Sequence, residues 1–308
     1  MQIKKELYYA KKIIKELTFS QKVEYFKNRM LGPSLLAKTS PFLKKGQPVY
    51  ELHVLCQKSD VWMLTWSLKS LLFHSTLTPK VIIHNDGSLD QFACYHLKRI
   101  FSNIRIISRQ EADATVLPKI PKTSKLYKYR SEGHPLLLDL IDPIIYAEND
   151  KLVVLNSDIL FFKTPREVDD FIINQSDTDV LVSRQPKSYV MAISSDYVNK
   201  HSLIQKEAGY INCGITLLNR KAISLEDSVD FFEHCLLPIK DYLVEAMGWV
   251  ALVGKTNFKF LPDDTYHIKG MLHENTIAKH FTSGRRHELY GYGIAHVQSQ
   301  IENIRHNI

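Results

Sequence analysis

Cysteine is scarce in this sequence. Four cysteines occur among 308 residues, widely spaced and mostly inside apolar runs, and no two of them form a Cys-x-x-Cys pair. The spacing therefore indicates neither a zinc site nor a redox motif. We expect buried free thiols in a reducing compartment, at Cys56, Cys94, Cys213 and Cys235.

The N-terminus lacks a long hydrophobic run. Its opening segment, MQIKKELYYAKKIIKEL, contains no uninterrupted apolar stretch and no small-residue cleavage site. This pattern predicts neither a secretory signal nor a membrane span and favours a cytoplasmic protein. Glycine and proline, at 12 residues each, are too few for a low-complexity segment, so the whole chain is expected to be globular.

Positive charge, in contrast, is in excess. The chain is 44% hydrophobic, which is enough to form the core of one large α/β domain or two small ones. Its net charge of +7 and pI near 9.0 suit a nucleotide diphosphate, an anionic membrane surface or nucleic acid. Nucleic acid is the least favoured, because the basic residues form no recognised reader motif and the aromatic residues lie within apolar runs.

The first thirty or so residues are expected to be helical. Apolar residues recur there at spacings of three and four, with lysines on the other faces. Such a helix either packs on its own domain or lies on an anionic membrane, here the inner face. Gly32-Pro33 and residues 38–48 are interpreted as a linker, so 1–47 form a helical extension and 48–308 one main domain. The apolar positions are Ile3, Leu7, Ala10, Ile14 and Leu17.

Strands and helices then alternate along the chain. Helix starts are predicted from a cap at Ser59 or Asp60, a capping box at Ser88 and Gln91, and Thr164 followed by Pro165. Strands separated by helices indicate parallel βαβ units, which bind ligands at the carboxyl ends of their strands. The predicted strands are 51–56, 80–84, 103–107 and 151–155, and the predicted helices are 61–74, 88–101 and 136–146, with a basic connector at 119–130.

An acidic turn, Asn156-Ser157-Asp158, directly follows the most apolar predicted strand. A carboxylate beside a core costs several kcal/mol unless it is paired or bound to a metal. Asp158 is therefore expected either to hold a divalent cation that neutralises a diphosphate, or to be a turn residue capping the helix that follows.

Five segments, in order over residues 50 to 295, resemble the motifs of family 8-like bacterial glycosyltransferases. The acidic turn reads LNSDILFF, similar to the family's "LDSDILFF" form of the DxD motif with Asn in place of the first Asp. The resemblance implies an α/β GT-A (nucleotide-diphospho-sugar transferase) fold, with a mostly parallel central sheet flanked by helices. It also implies a UDP-sugar, ahead of other nucleotide sugars, as donor. The segments are His53–Cys56 with Ser59-Asp60, His84–Ser88, Leu155–Phe162, Gly209–Asn219 and Lys279–Tyr290.

The resemblance also implies roles for single residues. Asp158 would be catalytic and bind Mn²⁺ or Mg²⁺, with His280 as a further metal ligand and Asn156 as a weaker ligand or a contact to the ribose. Asn212 would be catalytic and pass close to the donor sugar. The remaining donor-binding positions are Ser157 and Gly284, Cys56 and Asp86 near the base, Tyr127 and Arg130 near the diphosphate, Gly214 near the sugar, and Arg285 and Arg286 near the phosphates.

Three departures from the family pattern leave alternatives open. Asn156 removes a charge, so the site is a metal site with an amide ligand, a metal-independent site using basic residues, or a degenerate one. A helix that often carries a basic residue in the family reads His134-Pro-Leu-Leu-Leu-Asp139 here. Of a common Glu-Gln pair, only Glu245 is present.

The function expected from the sequence is sugar transfer from a nucleotide-diphospho sugar to a glycan, lipid or protein acceptor. The alternative is a non-catalytic GT-A-like binding protein. Glu245, Asp263 and Asp264 are the acidic residues late enough in the chain to act as a general base, and the stereochemistry stays open.

Overall fold

The computed structural model describes residues 2–42, 46–174, 177–190 and 192–305. Its strands are β1 Tyr50–Cys56, β2 Pro79–Asn85, β3 Ile104–Ile107, β4 Lys151–Leu155, β5 Ile159–Phe161, β6 Val180–Arg184, β7 Ile211–Asn219, β8 Phe258–Phe260, β9 Tyr266–His267 and β10 Ala278–His280. The central sheet has the order β3-β2-β1-β4-β7-β6-β8, and a small sheet has the order β5-β10-β9. From β3 to β4 the strands are parallel, and β7 is antiparallel to both of its neighbours. The central sheet is therefore mostly parallel, as the sequence predicts.

Helices cover both faces of this sheet. The helices of the first half are α1 Gln2–Glu16, α2 Phe19–Phe26, α3 Gly32–Leu36, α4 Val61–His74, α5 Gln91–Ile100, α6 Arg109–Val116, α7 Lys125–Glu132 and α8 Leu137–Tyr146. Those of the second half are α9 Arg166–Ile173, α10 Ser195–Lys200, α11 Leu225–His234, α12 Leu243–Gly254, α13 Arg286–Glu288 and α14 Ile294–Arg305. Two π-helical turns lie at Lys27–Leu31 and Leu289–Gly293. Within the described residues, no helix combines the length and the apolar character that crossing a bilayer would require.

The position of β4 in the fold explains why its sequence is almost entirely apolar. Successive side chains of a strand point to opposite faces, so a strand covered on both faces needs apolar residues at every position. Val153 and Leu155 belong to the core layer that contains α4 and α14. Leu152 and Val154 belong to the layer that contains α8 and α12. The acidic turn after β4 thus starts from a strand held rigidly between two layers.

The N-terminal segment is helical, but it differs from the prediction in two ways. Thr18 separates α1 from α2 and caps α2 with a capping box. Gly32-Pro33 was expected in a linker and instead begins α3. Gly32 packs against the indole of Trp62, where a Cβ would collide with the ring. The side chains of Ile3 and Leu7 lie outside the described part of the chain.

Asn28 joins the N-terminal segment to the main domain. Its side-chain oxygen accepts a hydrogen bond from Trp62 Nε1 at 3.2 Å, and its nitrogen donates to the carbonyl of Tyr290 at 3.1 Å. The Asn28 side chain is 3% exposed. Since a buried polar group is stable only when its hydrogen bonds are made, Asn28 fixes one rotation of this helix on the domain.

Several predicted helix starts are wrong by a few residues. Asp90 caps α5, while Ser88 donates to Asp86 and accepts from the backbone of Lys58, so the predicted capping box at Ser88 does not form. Pro165 occupies the cap position of α9, one residue later than predicted. The basic connector at 119–130 contains α7. These starts depend on contacts with distant loops that local patterns do not encode.

Asn28→Ala is expected to lower the free energy of unfolding by about 1–3 kcal/mol, because Trp62 Nε1 and the Tyr290 carbonyl would lose a buried partner. Asn199→Ala, at an exposed site on α10, is the matched control and should change stability by less than about 0.5 kcal/mol. Urea unfolding measures both. Equal stabilities for the two variants would show that Asn28 does not anchor the segment.

Candidate functional site

A pocket of about 360 Å³ lies where β1 and β4 end. Its lining is unusually acidic, with five carboxylates and a single arginine. A pocket at the carboxyl ends of parallel strands is the place where α/β sheets bind ligands. The lining residues are Leu55, Gln57, Asp60, Asp86, His134, Pro135, Leu136, Asp139, Asn156, Ser157, Asp158, Glu245 and Arg286.

The backbone of the acidic turn is held between two sheets. The amide of Asn156 donates to the carbonyl of Gly214 on β7 at 2.9 Å. The carbonyl of Asp158 accepts from the amide of Phe281, which follows β10, at 2.8 Å. The register between β6 and β7 shifts here, from Val182 paired with Thr216 to Ser183 paired with Asn212. The resulting bulge in β7 brings Gly214 to the turn.

Asp158 is buried between two cationic or potentially cationic side chains. Its Oδ1 lies 3.0 Å from His280 Nε2, and its Oδ2 lies 3.0 Å from both Nε and Nη2 of Arg286. Burial acts to raise the pKa of Asp158, but Arg286 and His280 outweigh it and lower that pKa to about 2. Asp158 is therefore ionised at neutral pH. The alternative that Asp158 only caps the next helix is not supported, because Pro165 occupies the cap of α9.

Asn212 orients the ring of His280. The side-chain oxygen of Asn212 lies 2.9 Å from His280 Nδ1 and also accepts from the amide of Gly214 at 3.0 Å. Because that oxygen can only accept, Nδ1 carries a proton. Nε2 donates to Asp158 when the ring is charged, and its lone pair is available to a cation when the ring is neutral. A Cβ on Gly214 would collide with both His280 Nδ1 and Asn212 Oδ1. Glycine is thus required for the ring and the amide to meet.

Arg286 bridges Asp158 to a second aspartate that the sequence did not single out for the site. Its Nη1 lies 3.4 Å from the carboxylate of Asp60, which also accepts from Gln57 and Ser59. Burial acts to lower the pKa of Arg286, but Asp158 and Asp60 raise it further above its ordinary value. Asp60 occupies the N-cap position of α4, as predicted, but its side chain does not cap the helix. Asp60 and Arg286 each belong to a segment that carries the family resemblance, but the sequence did not predict that the two side chains pair.

Asp139 and Glu245 form a second buried acidic pair on the pocket wall. Asp139 Oδ1 and Glu245 Oε1 are buried and have no hydrogen-bond partner. Burial raises the pKa of Glu245 to about 7. Burial, and then the neighbouring Glu245, raise the pKa of Asp139 well above its usual range. Carboxyls with strongly raised pKa values beside a pocket are candidate functional groups.

The structure brings most of the predicted site residues together. Asn156, Ser157, Asp158, Asp86 and Arg286 line the pocket. His280, Asn212 and Gly214 stand directly behind Asp158. Cys56 is buried at the end of β1 between Leu55 and Gln57, which do line the pocket.

Four predicted residues lie elsewhere. Arg130 is fully buried, with its guanidinium bound to Asp142 at 2.9 and 3.0 Å and to Asp113 at 2.6 Å. Arg285 pairs with Glu288 at 2.5 Å, and the Gly284 carbonyl accepts from Lys12 at 2.9 Å. Tyr127 packs into the core layer of α8 and α12. None of these four residues lines the pocket.

Among the three candidate bases, Glu245 is the one that lines this pocket. Asp263 lines a separate polar pocket of about 430 Å³, together with Arg184 and Tyr210. Asp264 is exposed in the loop after β8 and lines neither of these pockets.

The residues around Asp158 fit a divalent cation. Two ligands at right angles around an ion, each about 2.1 Å from it, lie about 3 Å apart. Asp158 Oδ1 and His280 Nε2 have that separation. Asn212 accepts from the other ring nitrogen of His280, as the outer partners of metal-bound histidines do. Asn156, on the same pocket wall, offers an amide oxygen.

A second group of potential ligands, Glu16, His287 and Glu288, lies outside the pocket. Glu288 already binds Lys279 at 2.7 Å and Arg285 at 2.5 Å, and His287 lies 2.7 Å from Glu16. These charges neutralise one another, so the group is an ion-pair network that ties α1 to α13.

Solved structures share this architecture, whereas sequence comparison finds no match: no family model fits the chain, and no curated protein is significantly similar. The WbbM bifunctional glycosyltransferase in its apo form matches with a TM-score of 0.51 at 14% identity, over 79% of this chain and 47% of that one. This chain thus spans less than half of that protein.

Two other matches score lower. The apo form of mouse xyloside xylosyltransferase 1 matches with a TM-score of 0.46 at 12% identity, over 77% of this chain and 98% of that one. The galactosyltransferase LgtC, in complex with donor and acceptor sugar analogues, matches with a TM-score of 0.47 at 14% identity, over 79% of this chain and 95% of that one. At such identities a likeness shows the fold alone. The chain therefore has the GT-A fold, as its sequence predicts.

Glu245→Gln is expected to change how stability depends on pH. Unfolded Glu245 ionises near pH 4.5, whereas the folded protein keeps the proton until about pH 7. Between these values the folded state binds more protons, so wild-type stability falls as pH rises. The amide cannot ionise, and the variant should exceed wild type by about 1–3 kcal/mol at pH 8. Below about pH 4 this advantage should disappear.

Urea unfolding at a series of pH values measures this difference. Glu226→Gln, at an exposed position on α11, is the control and should reproduce the wild-type profile. A pH-independent difference between Glu245→Gln and wild type would contradict the buried, proton-retaining carboxyl.

Proposed function

We propose that this chain is a glycosyltransferase that uses a nucleotide-diphospho sugar, with a UDP-sugar as the first candidate. The acceptor is a glycan, a lipid or a protein. The observation that carries the proposal is the contact series Asp158–His280–Asn212, whose Asp158 lines a pocket at the carboxyl ends of β1 and β4 of a GT-A fold. A buried aspartate in contact with a histidine whose ring is oriented by Asn212 suits ligand binding better than packing.

The acidity of the pocket supports a metal-assisted donor site. The carboxylates of Asp158, Asp60 and Asp86 would repel a diphosphate, and the one arginine of the lining, Arg286, already pairs with two of them. A divalent cation, Mn²⁺ or Mg²⁺, held by Asp158 and His280 with Asn156 as a weaker ligand, resolves this conflict. When bound, such an ion would stabilise the negative charge that develops on the leaving diphosphate.

The other pocket residues divide between the two ends of a donor. Asp86 and Gln57 lie at the ends of β2 and β1, and we assign them to the nucleoside. Arg286 faces the pocket beside Asp158, and we assign it to the diphosphate oxygens. Glu245, whose raised pKa is near neutrality, suits proton transfer or a contact with a sugar hydroxyl. Asp139 shares that wall, and the neighbouring Glu245 adds to the effect of burial in raising the pKa of Asp139.

We place the reaction in the cytoplasm. Cys56, Cys94, Cys213 and Cys235 are all free thiols in the structure, in keeping with a reducing compartment.

Calorimetric titration of UDP with and without Mn²⁺ tests the donor site. Wild type should bind UDP at least tenfold more tightly with Mn²⁺ than without it. Asp158→Asn keeps the side-chain shape but removes the charge, so it should lose that metal-dependent gain. Asp264→Asn, on an exposed loop, should behave as wild type.

Circular dichroism must show that Asp158→Asn is folded, because Arg286 loses a partner in this variant. Equal binding with and without Mn²⁺ would support a metal-independent site. If folded wild type binds no nucleoside diphosphate, the proposed function is wrong.

Two neighbouring arginines provide a matched comparison. Arg286→Lys should weaken UDP binding about tenfold, since an ammonium cannot reproduce the forked contact to a carboxylate or phosphate. Arg285→Lys removes a guanidinium that pairs with Glu288 outside the pocket, and UDP affinity should stay within about twofold. Equal losses in the two variants would contradict the assignment of the phosphate contact to Arg286.

A further inference from the structure

Exposed hydrophobic side chains are concentrated in the N-terminal segment. Fifteen large hydrophobic residues are exposed among the described residues, and seven of them lie between Tyr8 and Leu31. Single exposed apolar residues are ordinary on a protein surface, but a group on one element indicates an interaction surface.

Four of these residues form one stripe along α2 and the π-helical turn that continues it. They follow at intervals of four, three and four residues, the spacing of one helix face. We call this set the apolar stripe: Phe19, Val23, Phe26 and Met30, which are 83%, 52%, 56% and 69% exposed.

The opposite face of the same segment is fixed to the domain. Asn28 is hydrogen-bonded to Trp62 and to the carbonyl of Tyr290, and the ring of Tyr25 meets the ring of Tyr290 edge-on at 6.1 Å. Leu17, just before α2, is buried against Gly291. The segment therefore cannot rotate to bury the apolar stripe without breaking these contacts.

The positive charge of the N-terminal segment indicates which kind of surface the apolar stripe would bind. Residues 1–36 contain eight lysines and arginines and three glutamates, a net charge of +5, while the whole chain carries +7. At helical spacing, Lys22 and Lys27 flank the apolar stripe on either side. Lys27 also pairs with Glu24 at 3.2 Å. An apolar strip with basic edges is complementary to a bilayer whose headgroups are anionic.

We propose that the apolar stripe docks this protein on the surface of an anionic bilayer. The two phenylalanines and the methionine would enter the boundary between headgroups and acyl chains, and the flanking lysines would meet lipid phosphates. A second copy of the chain fits this surface less well, because a symmetric contact would place two segments of the same strong charge together. The apolar stripe is not the apolar face predicted from the sequence, which runs from Ile3 to Leu17. Leu17, at the end of that predicted face, is buried.

Docking would act on the same part of the chain that forms the donor pocket. The segment α2 packs on the turn Leu289–Gly293, which begins three residues after Arg286. Tyr9 and Lys12 of α1 bind the carbonyls of Ser283 and Gly284, between His280 and Arg286. The membrane-facing segment and two site residues thus share one short stretch of backbone.

Vesicle co-sedimentation tests the proposal without using nucleotide or acceptor, so its outcome is independent of the proposed function. Wild type should bind vesicles of phosphatidylcholine with phosphatidylglycerol at least tenfold more tightly than vesicles of phosphatidylcholine alone. Phe19→Ser with Phe26→Ser should weaken binding to the anionic vesicles at least tenfold, a loss of about 1.4 kcal/mol. Lys22→Gln with Lys27→Gln should weaken binding and reduce its salt dependence.

The matched control replaces two equally exposed residues elsewhere, Ile204 and Leu236, by serine; these are 63% and 66% exposed. This control should bind within about twofold of wild type. Circular dichroism should show all variants folded, since no side chain of the apolar stripe is buried and Phe26 meets only the edge of the Tyr25 ring. Three results would overturn the proposal: no binding of wild type to anionic vesicles, undiminished binding of Phe19→Ser with Phe26→Ser, or self-association in solution that these two substitutions abolish.

Discussion

The ion pairs of Asp158 are the interaction on which the rest of the site depends. A carboxylate buried at the end of β4 is tolerated because His280 and Arg286 contact its two oxygens. These partners come from β10 and α13, far along the chain. One aspartate thereby joins the central sheet, the small sheet and the start of the C-terminal helices. Removing its charge would leave Arg286 facing the carboxylate of Asp60 alone.

The C-terminal segment from His280 to Gly293 has a double role that follows from this arrangement. Its first half supplies His280 and Arg286 to the pocket, and its second half receives α2 through Tyr290 and Gly291. The N-terminal extension therefore packs on the main domain through α2. It covers the outside of the same backbone whose inside forms the site.

The predictable part of the fold is the part set by local periodicity. The bounds of α4 and β4 follow from runs of apolar residues, because both elements are buried along their length and end at polar turns. Motif resemblance likewise located Asp158, His280 and Asn212. It did not distinguish Arg286 from Arg285. The direction of the Arg286 side chain depends on Asp158 and Asp60, which are distant in sequence, whereas Arg285 turns to Glu288, three residues further on. Arg130 was misplaced for the same reason, since Asp142 and Asp113 hold it away from the pocket.

Charge balance shows how a site with Asn156 would accommodate the anionic donor that we propose. A carboxylate at that position would add a further negative group to a pocket in which Arg286 already offsets Asp158. The asparagine lowers this repulsion and also lowers the attraction for a free cation. A diphosphate would supply the oxygens and the charge that Asn156 does not. We therefore expect metal and nucleotide to enter together, each raising the affinity for the other, because linkage between two ligands is reciprocal.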